Sequence, residues 1–183
     1  MRDQATEFLH TYVKDDYQRH HAQMVGTAME AVANHLNLED KEIYYITGLV
    51  HDWDYDQWPQ EHPHRYDQLQ SELGVSDEVI TAIIGHIGID SPRTTLLAKT
   101  LFACDEFSGL LYAYMKMVGN YANMKPKSIR KKVHKDKSFA AKIDRTHVIT
   151  AINELSEETG IDEESFFILL RDAFADKYDN QTQ

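Results

Sequence analysis

Hydrophobic positions recur along the chain at steps of three and four with no stretch of sustained period-two alternation, a pattern that predicts helices throughout. Ala5 to Val13 sets Phe8, Leu9, Tyr12 and Val13 at helical spacing, and Lys14-Asp15-Asp16 ends that element. From about Tyr17 to Leu36 the stripe is His21, Val25, Ala28, Val32 and Leu36, so a histidine occupies a core-facing place; His20, turned by about 100°, aligns instead with Met24, Thr27 and Ala31. Asn37-Leu38-Glu39-Asp40 breaks the pattern and starts a helix whose Ile46, Leu49 and Val50 run into His51-Asp52. Trp53 to Pro63, with two prolines and both tryptophans, reads as a loop, and Pro63 favours extended backbone at His62.

A short helix follows from His64 to Leu73 with Gly74 as its C-terminal cap, and Ser76 caps the next, Val79 to about Ile87, which delivers His86. Ile89 to Pro92 is a turn. A long helix from about Arg93 to Met117 carries Leu97, Leu101, Asp105, Ser108 and Tyr112 on one stripe. Beyond Gly119 the chain is polar until two amphipathic helices, about Arg145 to Glu158 and Asp162 to Tyr178, after which the last residues are expected to fray. The expectation is an all-α helical bundle in one domain over residues 1–183, with a core at about 17–118 and a C-terminal helical extension at about 119–180.

Thirty acidic against nineteen basic residues give a net charge of −11, which argues against a nonspecific nucleic-acid surface. Positive charge is nevertheless gathered in Lys125 to Lys132, followed by Lys135 and Lys137, either as a solvated helix face or as a rim that attracts anions. No apolar run approaches the roughly 18 residues of a membrane span, and the chain starts Met-Arg-Asp-Gln without an apolar leader, so no membrane partner and a cytoplasmic location are expected. The single cysteine, Cys104, follows Leu101-Phe102-Ala103 and reads as core packing rather than as a nucleophile. Oligomeric state has no sequence signal.

Chemistry concentrates where the third helix ends. A carboxylate taken out of water unpaired takes up a proton, whereas a divalent cation favours its ionised form. His51-Asp52 alone more often marks a surface pair or a histidine at a helix C-terminus, and His21 alone more often marks a core histidine bonded to a carbonyl. Asp105, set among core positions, needs a fixed cation or several donors. Together His21, His51, Asp52 and Asp105 offer two imidazoles and two carboxylates, a donor set for a divalent Mn, Fe, Co, Ni or Zn ion; a structural zinc site would favour cysteines.

These residues, with Gly48-Leu-Val-His51-Asp52-Trp-Asp54-Tyr55, Glu61-His62-Pro63 and Ala103-Cys-Asp105-Glu106-Phe-Ser-Gly109, resemble the HD-domain superfamily of metal-dependent phosphohydrolases. Lys137-Ser-Phe-Ala-Ala resembles a subgroup of small, stand-alone bacterial members. The resemblance implies an HD-type bundle in which His21, His51, Asp52 and Asp105 hold a principal metal and His62 and His86 help hold a second, with His64 as the nearest substitute. Trp53-Asp54 stands where other branches carry Ile-Gly, and no Gly-Tyr-Pro follows, so hydrolysis of cyclic di-GMP is not implied. The implied substrate is a small phosphate ester or a nucleotide, attacked by metal-activated water. Asp52 then binds the catalytic metal, and Asp54 either orients water or a ligand histidine or caps a turn. Arg19, Arg65 and Lys127 are candidates for holding the substrate phosphate. Two alternatives stand beside this: an HD-type di-iron oxygenase, and a non-catalytic binding module stabilised by its metal.

Overall fold

The computed structural model describes residues 1–136 and 138–179, and among these it has nine helices and no strand. They are α1 (Arg2–Tyr12), α2 (Asp16–His35), α3 (Lys41–Val50), α4 (Tyr66–Leu73), α5 (Asp77–Gly85), α6 (Leu96–Val118), α7 (Pro126–His134), α8 (Arg145–Thr159) and α9 (Glu163–Tyr178). The all-α expectation holds. Lys137 of the basic segment and the chain end expected to fray, residues 180–183, lie outside the described residues. No described helix is long and apolar enough to cross a membrane.

Helix α2 is central, packing most extensively on α3 and also against α6 and α9. Val25, Ala28 and Val32 of the sequence stripe are fully buried, but so is Met24 on the face shared with His20. That second face is covered by α9, whose Lys177 Nζ donates to Thr27 Oγ1 at 2.8 Å and whose Tyr178 ring lies 5.3 Å from that of His20. A one-sided stripe therefore understates how buried this helix is.

Helices α2 and α3 cross backbone to backbone. A Cβ built on Gly48 would lie 2.8 Å from Gly26 Cα and 2.7 Å from Gly26 N, and one on Gly26 would lie 2.9 Å from the Tyr45 carbonyl oxygen. Only glycine at both places permits this approach. The crossing sits five residues after His21 and three before His51, and so brings those two histidines to one end of the helix pair.

Helix α6 starts at Thr95, whose side chain accepts from Ala98 N, and ends at Gly119 in the left-handed region (φ 91°). The sequence pattern placed the start near Arg93. Instead Arg93 stays in the turn, where its guanidinium donates to the carbonyl oxygens of Gly85, Gly88 and Ile89 and forms a two-pronged pair with Glu154 of α8 at 2.7 and 2.9 Å. Those carbonyls close the end of α5, so Arg93 ties the segment that presents His86 to α8. Cys104 is fully buried in the core, and burial pushes its thiol pKa up.

The stretch between α3 and α4 has no helix, yet it is firmly packed. Trp53 is 2% exposed, with Phe8 and Tyr12 of α1 at ring distances of 4.9 and 5.2 Å, and the Asp56 carboxylate accepts the backbone N–H groups of Lys14 and Asp15. The His62-Pro63 peptide bond is cis.

Candidate metal centre

Three elements supply histidines with the same orientation. His51 is the C-cap of α3, and its Nδ1 lies 2.8 Å from the Gly48 carbonyl oxygen; His86 is the C-cap of α5, and its Nδ1 contacts the Ile83 carbonyl oxygen. Each ring thus bonds back three residues along its own helix. A carbonyl only accepts, so Nδ1 carries the hydrogen and Nε2 is left as the lone-pair nitrogen. His62 reaches the same state through the loop, with Nδ1 2.6 Å from Asp54 Oδ1. Asp54 itself is buried, and its Oδ2 has no hydrogen-bond partner among the described residues.

All these Nε2 atoms point at two carboxylates. Asp105 Oδ1 lies 2.8 Å from His21 Nε2 and 3.5 Å from His51 Nε2, although 84 residues separate His21 from Asp105. Asp52 Oδ2 lies 3.3 Å from His51 Nε2, while Asp52 Oδ1 lies 3.1 Å from His86 Nε2 and 3.4 Å from His62 Nε2. Among the described residues two groups have donor atoms within 4.8 Å of one another: His21, His51 and Asp105, and His51, Asp52 and His86. His62 joins the second through Asp52. The rings of His21, His51, His86 and His62 follow one another at centroid spacings of 5.4, 5.1 and 5.3 Å.

The electrostatics call for a cation. Among the described residues His51 Nε2 is buried without a hydrogen-bond partner, and its lone pair faces carboxylate oxygens that have lone pairs of their own. Burial opposes charge on His51, but Asp52 and Asp105 outweigh it and hold its pKa well above the ordinary imidazole value. Burial likewise opposes ionisation of both carboxylates and is outweighed, chiefly by His51, so both titrate well below the usual range. In the metal-free protein a proton on His51 meets this demand. A metal ion would meet it as well, and these imidazole and carboxylate groups, buried or partly buried, can hold one.

The remaining candidates have other partners or surroundings. His64 is exposed, on the turn before α4. Arg19 turns back to the carbonyl oxygen of Val13 at 2.6 Å, and Arg65 pairs with Glu61 and Gln68 and lies over the Trp58 ring. Lys127 lines a groove on α7 with Arg130, Lys131, His134 and Lys135, a set that shares no residue with the histidine ring. The sequence reading singled out no residue beyond α6 at the centre itself, yet a cleft of about 400 Å³ that opens on His21 and Asp105 is walled by Glu106, Lys142, Asp144 and His147. Burial, then the adjacent Asp105 carboxylate, push Glu106 up to about 7, while His147, 3.2 Å away, pulls the other way. Glu106 stood inside a quoted motif; Lys142 and His147 carried no sequence signal, because tertiary packing alone brings them here.

No family model, curated protein or solved structure matches the chain.

Proposed function

We propose that the protein is a metal-dependent phosphohydrolase of the HD type, acting on a small phosphate ester or a nucleotide. The observation that carries the reading is the placement of Asp52, which offers one oxygen to the His51 side and the other to His86 and His62. A carboxylate so placed suits a centre of one or two divalent ions, and His21, His51, Asp52 and Asp105 would hold the first, with His62, His86 and Asp52 holding the second. When bound, such ions supply an activated water at neutral pH and neutralise charge on a phosphoryl group.

The chain's own residues do the rest. Gly48 and Ile83 carbonyls fix the tautomers of His51 and His86, so both present Nε2 inward without rearrangement. Asp54 does the same for His62 and acts as a positioning residue. Asp105, on α6, closes the set against His21 of α2. The cleft beside His21 and Asp105 admits a substrate, and its volume lies within the roughly 300–1,000 Å³ of small-molecule sites.

The test is metal analysis of the purified protein followed by a panel of phosphate esters and nucleotides with Mn, Co or Zn. Turnover that is lost with chelator and restored by metal supports the reading. Iron with a mixed-valent spectrum and no ester hydrolysis would instead favour oxygenase chemistry, and metal without any turnover a binding module.

A further inference from the structure

The loop from Ser138 to Asp144 belongs to the C-terminal extension, yet its Lys142, Ile143 and Asp144 form a wall of the cleft beside His21 and Asp105. A Cβ placed on Gly109, one helical turn beyond Asp105, would touch Ile143 Cδ1 at 3.7 Å, so the loop rests directly over the ligand-bearing stretch of α6. Arg145 clasps it, donating to the carbonyl oxygens of Ile143 at 3.1 Å and of Phe139, and ties it to α7 through the Lys132 carbonyl at 3.3 Å. Ala140 has φ 45°, a left-handed conformation that a side chain disfavours and that surrounding structure must impose. This loop is shaped.

Charge in the cleft is unevenly used. The Glu106 carboxylate is met by His147, and Asp144 is occupied as the N-cap of α8, accepting from Thr146 N at 2.7 Å. Lys142, on the same wall and exposed, has no ion pair or hydrogen bond among the described residues. A cation left free beside a centre built for a phosphoryl group has a second anion as its natural partner.

We infer that the substrate carries a second anionic group besides the phosphoryl group that is hydrolysed, and that Lys142 holds it. The inference rests on the phosphohydrolase reading, and it makes the C-terminal extension the part of the chain that selects among phosphate esters.

Binding to Mn-loaded protein by calorimetry tests this with probes that cannot be hydrolysed: methylphosphonate, with one anionic group, against methylene- and propylene-bisphosphonate, with two. The better bisphosphonate should bind wild type at least about ten-fold more tightly than methylphosphonate. Lys142→Ala should erase that preference, Lys142→Arg should keep it, and methylphosphonate should bind all three proteins alike. A preference unchanged in Lys142→Ala overturns the inference even where esters are hydrolysed. Conversely, a preference that depends on Lys142 in a protein that hydrolyses no ester leaves the anion site standing and removes the hydrolase reading.

Discussion

His62 Nδ1 lies 2.6 Å from Oδ1 of Asp54, a carboxylate 1% exposed that lies two residues past the ligand candidate Asp52. The pair fixes the His62 ring so that Nε2 faces Asp52. Asp54→Asn keeps an acceptor but removes the charge that strengthens the bond and the donor power of the imidazole. Affinity for the ion held by His62 and His86 should fall by about 10- to 100-fold, and turnover with it, the scale for a residue that orients a ligand. Metal titration of the variant checks this; unchanged binding and turnover would return Asp54 to a turn-capping role.

The contact between Gly26 and Gly48 makes a separate prediction about stability. Gly48→Ala sets a methyl against α2 backbone, which has no flexible side chain to move aside. A loss of about 1–3 kcal/mol is expected in denaturant unfolding, as for other overpacked sites. Gly109→Ala is the control, since its methyl would meet Ile143 at an ordinary 3.7 Å and would gain up to about 1 kcal/mol of helix propensity. Equal effects of the two substitutions would remove the crossing as the reason His21 and His51 meet.

This crossing also shows where sequence reading ends. The stripes that put His21 and Asp105 on core-facing sides were legible, as were Ser76 and Gly74 at helix ends, because each depends on a few neighbouring residues. Gly48 was visible in its motif, but its partner Gly26 was not, since close approach is a property of two helices. Arg93 read as the start of a helix because its use, three carbonyls and Glu154, is tertiary. For α7 the pattern drew no boundary: only Ile129 and Val133 are buried among its charges. The cleft wall of Lys142 and His147 was invisible for the same reason as Gly26.

A metal held by these residues would compete with the proton on His51, and the sign follows from the pKa directions. His51 is raised on folding, so its contribution to stability is full below the unfolded value of about 6.5 and is lost as pH rises through the folded one. Asp52 and Asp105 are lowered, so theirs is present above the unfolded value of about 3.9 and is lost as pH falls through the folded ones. The metal-free cluster therefore stabilises the fold most between about pH 4 and 6.5. A metal needs neutral imidazole, so uptake near neutral pH should release protons, and the rise in Tm given by metal should grow with pH. Thermal unfolding across that range with and without Mn, and an indicator dye during uptake, measure both. A metal effect that shrinks as pH rises contradicts the assignment of His51.

Removing the two sides of Asp52 separately distinguishes one ion from two. His62 and His86 contact the Oδ1 side, so His62→Ala with His86→Ala should take metal content from two ions per chain to one while His21, His51 and Asp105 keep the other. Asp52→Ala is different in kind, because it removes the carboxylate that faces His51 with one oxygen and His86 and His62 with the other, and with it the main counter-charge to His51. Metal affinity and ester hydrolysis should then fall together. One ion per chain in wild type, unchanged in the double variant, would make His62 and His86 substrate contacts instead. Full hydrolysis by a metal-free Asp52→Ala protein would remove the metal from the chemistry altogether.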